Sequence, residues 1–599
     1  MTENKIIFVA NKKDASILKE YFSETDTKII TFDIEAHQEL KKNGIEHLLL
    51  DNYFKKKDYE LIDNITIKNT LNWHKEYQQS LLEFNELNIG NLIQPELELL
   101  ILTNVRNLIG IERILEKENP DLIILSSLTK LAEEICFKKK IVMKDVIDET
   151  FKLKEDEIVI PFFKNTNIKL SKQKYLKIKK NLDLILEKFF KLNFEQKNHE
   201  KSILLLDFNV VFFEKLITEI SLNFENLVLL NQRRPAIWNK ESLNIIKKTN
   251  SKILTLEKFL SNEVKLEIQH NQKNVKENIE IFFNEPKLKE YFSHNGNSFW
   301  NAMKGKFMAI AMNRSSEMVY IDTLIKIIFE KFEFGKILEW ADSAFEEKII
   351  IHNARKNKIP IVILQHSIIS QVQKYDKFIP FQPTIPSLNS KIAVYGETTK
   401  KFLLSKNVPE NKILVTGSPR HDDFFKSTIK NYKNSILIAT TSASSIYNSN
   451  GRDIKSYEKW EKSIEIILKS IKKYSDKKPI IKLHPSKEFY EIQSFIKKID
   501  DSIPIYKDIK PNDLLNTCDL LIVTNVSTIL LEAMILKKPT ILISTQDQNT
   551  DEEIFVKNNA TLYVQDLESI EKSIKKILTD IEFRNKLIKN ADKLSLIHI

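Results

Sequence analysis

His484-Pro485 and Ser527-Thr528 are the residues of this sequence best suited to hold a phosphate group. An imidazole donates to a phosphate oxygen, and as imidazolium its bond is charge-assisted, worth roughly 1.5–3 kcal/mol. Pro485 stops a strand and can open the following helix. Ser527 is placed to cap a helix starting near Thr528, where free N–H groups favour an anion. Glu532 lies one turn further on and could accept from sugar hydroxyls. The hydroxyl-rich run Thr440–Ser445, with Ser442 at its centre, has the position of a phosphate loop but no glycine. Arg420 and the pair Arg233-Arg234 could clamp an anion in a fork geometry. Each feature has a structural alternative: a turn histidine, a simple cap with a surface acid, a solvated loop, a hinge arginine.

These residues matter because of the elements that must carry them. Apolar β-branched runs alternate with helical stretches, a rhythm that argues for parallel sheet covered on both faces. Ligands of open parallel sheets bind at the carboxyl ends of the strands. Pro479–Leu483 reads as a strand ending at His484, and Leu520–Thr524 as one running into the Ser527 turn. Ser435–Thr440 leads into the hydroxyl-rich loop. In the N-terminal part, Ser202–Asp207, Leu227–Leu230 and Pro360–Leu364 read as strands, ending at Asp207, near Arg233-Arg234 and at Gln365-His366. The expected fold is therefore α/β, with two Rossmann-like domains facing a cleft. Residues 1–388 form the first, with helical insertions at about 139–198 and 259–333. Residues 389–433 connect them, 434–593 form the second, and 594–599 read as a non-native tail.

With 599 residues the chain is several times the usual ~100–200 per domain. A hydrophobic content of 42% with 29% charged residues suits a globular protein rather than a disordered one. No N-terminal targeting pattern and no run near the ~20 apolar residues of a bilayer span occurs. Cys136 and Cys518 are too few for a disulfide framework or a cysteine zinc site, and read as buried thiols of a reducing compartment. The net charge of +10 is spread along the chain in a Lys/Asn/Ile-rich composition, and no nucleic-acid motif accompanies it, so nucleic acid is not an expected partner. No Asp-x-Asp at a strand end and no ligand-spaced His/carboxylate cluster appears; Asp422-Asp423 is adjacent rather than spaced. No metal or other cofactor is expected.

Taken together, His484-Pro485, Ser527-Thr528, the run Thr517–Pro539 and the segment Val394–Phe424 with Gly417-Ser418-Pro419-Arg420 resemble GT-B-type transferases of surface polysaccharide and teichoic-acid assembly. Those include capsule glycosyltransferases, polysialyltransferases and CDP-glycerol glycerophosphotransferases. The resemblance covers roughly Ile361 to Lys593. It implies a GT-B-like fold and transfer of a sugar from a nucleotide-activated donor to a cell-surface polysaccharide or glycolipid acceptor. The alternatives are CDP-glycerol-type phosphotransfer, a UDP-N-acetylglucosamine 2-epimerase-like enzyme, or a non-catalytic scaffold. Those epimerases share the Gly-x-Pro and His-Pro features but normally carry Ser-Gly-Gly followed by paired glutamates. Val526-Ser527-Thr528 stands there instead, which disfavours epimerisation.

Under this resemblance Pro485, Ser527, Thr528, Glu532, Ser442 and Arg420 bind the donor, and His484 stabilises charge on the leaving phosphate. His366 is the first choice of general base for the acceptor hydroxyl and Asp207 the second. Many relatives have Gln-His-Gly where this chain has Gln365-His366-Ser367. The partners implied are a nucleotide-sugar or CDP-polyol donor and a glycan or lipid-linked acceptor. The expected location is cytoplasmic, with peripheral contact to the inner face of the membrane compatible with the basic surface, although no amphipathic anchor stands out.

Overall fold

The computed structural model describes all residues except 1–3, 25, 76, 147–156, 164–165, 196–200, 224–225, 341–343, 366, 370–375, 378–389, 427–433, 441–452, 485–491, 508, 546–552 and 599. Its strands are short apolar runs such as Ser202–Leu206, Ser435–Ala439 and Leu520–Thr524, buried along their whole length. Strands covered on both faces cannot alternate apolar with polar residues, and they pair in parallel through helical crossovers.

Three parallel sheets result. The first contains β1 (Lys5–Val9), β2 (Thr27–Thr31), β3 (Leu48–Leu49), β4 (Leu122–Leu125) and β5 (Val142–Asp145), in the order β3-β2-β1-β4-β5. An antiparallel hairpin, β6 (Glu157–Phe163) and β7 (Thr166–Ser171), follows. The second sheet contains β8 (Ser202–Leu206), β9 (Leu227–Leu230), β10 (Lys252–Ile253), β11 (Phe334–Glu339), β12 (Ile361–Leu364), β13 (Lys391–Val394) and β14 (Ile413–Val415), in the order β10-β9-β8-β11-β12-β13-β14. The third contains β15 (Ser435–Ala439), β16 (Lys478–Lys482), β17 (Ile505–Tyr506), β18 (Leu520–Thr524), β19 (Thr540–Ile543) and β20 (Leu562–Val564), ordered β17-β16-β15-β18-β19-β20.

The α/β class and the Rossmann-like sheets agree with the sequence reading, but the partition of the N-terminal part does not. Residues 1–388 do not form a single Rossmann-like unit; they hold a complete five-stranded sheet and most of the seven-stranded one. Residues 139–198 are not purely helical, since they contain the edge strand β5 and the hairpin as well as a helix. Residues 389–433 are more than a connection: β13 and β14 extend the second sheet, because Ile392, Val394 and Ile413 bury against Ile363 and Leu403. The terminal helix runs Ile581–His598, and Leu594 lies in the core beneath Leu530 and Met534, so the helix absorbs the start of the suspected tail.

Helices bind the first two sheets together. Trp73 ends α1 (Lys56–Asn72) and stacks edge-on to Phe307 at 4.6 Å and Phe282 at 5.6 Å. Those phenylalanines belong to α5 (Trp300–Lys331) and α4 (Asn262–Phe283); α2 (Gln94–Glu118) and α3 (Lys172–Phe189) are further helices of the N-terminal part. One continuous apolar core consequently runs from Ile6 and Phe8 to Leu204 and Ile337.

The first sheet also grips the third. Asp51, just after β3, accepts from the Ile454 backbone N–H at 2.9 Å, and Lys455 Nζ reaches the Asp51 carbonyl at 3.1 Å. Ile454 opens the long helix α7 of the third sheet, Ile454–Tyr474, whose cap Asp453 accepts from Lys455 N–H at 2.8 Å. Tyr59 donates to Asp453 at 3.3 Å. Burial, then the neighbouring Asp51 charge, push the Asp453 carboxyl up, and Arg106 pulls it back only in part. Its folded pKa lies above its unfolded one, so the folded state holds the extra proton between the two values. This contribution is complete below the ordinary value of 3.8 and is lost as pH rises through the raised one. Asp453→Asn keeps an excellent cap and removes the repulsion. The variant is expected to unfold at higher urea than the wild type at alkaline pH and to lose that advantage in mild acid.

Candidate active site

The carboxyl ends of the second and third sheets meet at a buried pair. Gly417, after β14, takes a positive φ of 74° that turns the chain outward. The turn presents Arg420, whose Nη2 donates to Glu532 Oε1 at 2.8 Å. Glu532 belongs to α8 (Thr528–Ile535) of the third sheet and is 1% exposed. It is therefore neither a surface acid nor aimed at solvent. Burial drives its carboxyl up, opposed by the cations Arg420 and Lys482, with the net shift upward. Its second oxygen, Oε2, has no hydrogen-bond partner among the described residues.

Residues that sequence reading passed over complete this junction. His421 is fully buried, with Nδ1 2.6 Å from Ser418 Oγ and Nε2 3.9 Å from Glu532 Oε1. Tyr395, after β13, packs its ring 5.2 Å from His421 and bonds to Ser418 and Arg420, and burial pushes its phenol up to about 12. Phe212 lies under the Arg420 guanidinium at 4.3 Å. Positions directly after strands were the available signal. Tyr395 obeys it, immediately following Val394, whereas His421 lies six residues beyond the end of β14 and carries no such signal.

At the third sheet, the strand-to-helix turn after β18 is shaped by Asn525, which takes φ +61°. Its side chain bonds Thr545 through Oδ1 to the backbone N–H at 3.0 Å and through Nδ2 to Oγ1 at 3.0 Å. Ser527 occupies the N-cap position as expected, yet its side chain makes no capping hydrogen bond. The hydroxyls of Ser527 and Thr528 and the first N–H groups of α8 thus share one half-exposed turn. His484 follows β16 and is half-buried; burial, then the Lys482 and Lys507 cations, lower its pKa below the ordinary 6.5. Lys482 Nζ donates to the carbonyls of Leu483 at 2.8 Å and Lys507 at 2.7 Å. The imidazole is accordingly harder to protonate than an ordinary histidine.

Other expected residues form a cluster of their own at the ends of β8 and β9. Asp207 is 1% exposed and takes φ +50°. Its carboxylate accepts from the backbone N–H groups of Gln232, at 3.1 Å, and Arg233, at 2.9 Å. It ties the loop after β8 to the loop after β9, with Trp340 Nε1 donating to its carbonyl at 3.1 Å. Arg233 forms an ion pair with buried Glu347, on α6 (Phe345–Lys356). Burial and the Asp207 charge raise the Glu347 carboxyl, against the pull of Arg233. Arg234 stacks over Trp340 at 5.2 Å. A pocket of about 270 Å³ opens beside Arg233, lined also by Tyr175, Phe345, Glu346, Glu96 and Arg314. None of its lining residues belongs to the third sheet.

His366, Pro485 and Ser442 lie outside the described residues. Gln365, which precedes His366, fixes the end of β12, accepting from Tyr395 N–H at 2.8 Å. Among the described residues no group of three His, Cys, Asp or Glu side chains is set to hold a metal ion. Burial pushes the Cys136 thiol up to about 11 and the Cys518 thiol up to about 12, so both are inert at neutral pH.

Residues 386–594 match the family model of UDP-N-acetylglucosamine 2-epimerase. This match covers the last part of the second sheet and the whole third sheet, and it coincides with the epimerase alternative that the Ser527 motif had placed behind transfer. No curated protein matches the chain. Among solved structures, the chain resembles MnaA of S. aureus with UDP at 13% identity and TM-score 0.41, over 65% of this chain and 91% of that one. UDP-GlcNAc 2-epimerase from Neisseria meningitidis, bound to UDP-GlcNAc, gives 15% identity and TM-score 0.38, over 66% and 98%. WaaG, a glycosyltransferase of lipopolysaccharide biosynthesis, gives 10% and 0.36, over 66% and 95%.

Proposed function

We propose that this protein is an enzyme acting on a nucleotide-activated sugar, held by the third sheet, and that it transfers the sugar to a second substrate on the second-sheet side. The observation that carries this reading is the Ser527 turn. There an uncapped helix N-terminus and two hydroxyls, with the His484 strand end two strands away in the same sheet, lie inside the segment that matches a nucleotide-sugar enzyme family. Negative charge developing on a leaving diphosphate would be met by those N–H and O–H donors. The pocket beside Arg233 offers an apolar wall with paired charges, suited to a partly polar second substrate. No metal or other cofactor is part of this proposal.

The matched family supplies a second reading: epimerisation at C2 of a UDP-N-acetyl sugar by the same nucleotide site. Val526-Ser527-Thr528 in place of Ser-Gly-Gly favours transfer. The two part on products. Epimerisation changes the C2 configuration without an acceptor, whereas transfer is silent until an acceptor is added. A CDP-glycerol-type reaction would release CMP and leave a phosphodiester.

Thermal-shift titration with CMP, CDP, UDP, GDP and dTDP is expected to single out one nucleotide. At one-hundred-fold its dissociation constant that ligand stabilises the fold by roughly 2.7 kcal/mol. His484→Ala is expected to weaken the effect. Since free His484 has a lowered pKa and a bound phosphate raises it, protons are taken up on binding. Nucleotide affinity should therefore increase as pH falls from 8 toward 6, and His484→Ala should flatten the trend. If no nucleotide shifts the wild type, the enzyme reading is wrong.

A further inference from the structure

α3 carries an apolar stripe on its outer face. Ile178, Leu182, Ile185 and Phe189 are 53%, 40%, 63% and 76% exposed. Their spacing of four, three and four residues places them within one narrow arc of a 3.6-residue helix. The opposite face is anchored. Lys179 pairs with Asp183 at 2.9 Å and donates to the Asn231 carbonyl. Glu187 binds Lys258 and accepts from Thr255 Oγ1 at 3.1 Å, while Leu186 and Phe190 pack on the second sheet. The helix is thus fixed to the body with its most apolar edge turned to solvent. Scattered exposed apolar residues are ordinary, but four aligned on one helix edge mark an interaction face.

Charge decides what would cover it. At 100° per residue, Lys174, Lys177 and Lys188, all exposed, line one flank of the stripe together with Asn181. The only acids between residues 174 and 191, Asp183 and Glu187, are buried on the anchored side. Apolar residues beside lysines, with no exposed acid, are the makeup of a helix lying in a lipid headgroup layer. A second copy docked antiparallel by the same face would set lysine flank against lysine flank with no carboxylate of α3 to answer. No helix among the described residues is long and apolar enough to cross a membrane, so contact here would be at the surface.

We propose that α3 docks the protein onto an anionic phospholipid bilayer, with Ile178, Leu182, Ile185 and Phe189 entering the acyl boundary and the lysines contacting headgroups. This does not depend on the enzymatic reading. The test is co-sedimentation of the full chain with vesicles of phosphatidylglycerol and phosphatidylcholine, and with pure phosphatidylcholine. The expected result is binding to the mixed vesicles that falls about tenfold in the double variant Ile185→Glu, Phe189→Glu and weakens with added salt. Circular dichroism melts check that the variant folds; both positions are exposed, so it should. Lys177→Glu with Lys188→Glu should reduce binding to the anionic vesicles while leaving the stripe intact. Absence of binding to mixed vesicles would overturn the proposal. So would equal binding by the Ile185/Phe189 variant, or a concentration-dependent dimer that the same variant abolishes in protein that ignores vesicles.

Discussion

Arg106→Met is expected to lower stability by about 3–5 kcal/mol at neutral pH, the usual cost of removing one partner from a buried ion pair. Arg106 is 3% exposed and its partner Asp51 1%. The guanidinium pairs with Asp51, donates to the Phe32 carbonyl at 3.0 Å and stacks over Phe54 at 5.3 Å. It is the cation between two buried carboxyls, Asp51 of the first sheet and Asp453 of the third. Methionine fills similar volume, so the loss is electrostatic rather than a cavity. The variant should lose more as pH rises, because each added negative charge then lacks its counterion. Asp51→Asn in the Arg106→Met background should recover much of the loss. Urea unfolding measures both, and hydrogen exchange at Ile454–Glu458 should quicken if the grip of the first sheet on α7 is what fails. A loss under 1 kcal/mol, or no recovery in the double variant, would show that the pair is not what joins these sheets.

Arg420→Ala is the second large effect, expected at about 3 kcal/mol at pH 7. Its side chain is 20% exposed and that of Glu532 only 1%, so the carboxylate loses a counterion it cannot replace with water. Glu532 already has a raised pKa, and removing Arg420 raises it further. The folded variant then holds a proton that the unfolded chain releases, and its stability falls as pH rises from the ordinary value of 4.5 to the raised one. Relative to wild type, the deficit should be small near pH 4 and full at pH 8. Glu532→Gln in the Arg420→Ala background should abolish the pH dependence. Because this pair joins the second sheet to the third, the same variant should also blunt the thermal shift given by the preferred nucleotide. A deficit independent of pH would mean that Arg420 acts through packing on Phe212 and not through Glu532.

Local pattern marks out the strands of the third sheet that lead into the Ser442, His484 and Ser527 turns, but not its edge strand β20 (Leu562–Val564). Runs such as Leu520–Val523 are apolar throughout, as a short strand buried on both faces can be. Ser527 as cap and His484 as strand-end residue followed from the same local rules. How strands group into sheets is a matter of tertiary structure, because pairing joins residues far apart in the chain: β4 joins β1 across more than a hundred residues. It alone distinguished a buried charge from an exposed one. Glu532 and Asp207 look in sequence like any acid after a strand, and only their neighbours make one a counterion and the other a loop tie. The stripe on α3 was hidden for the same reason. That helix has apolar residues on nearly every side, and which of them meet solvent is settled by what packs against it, not by its own periodicity.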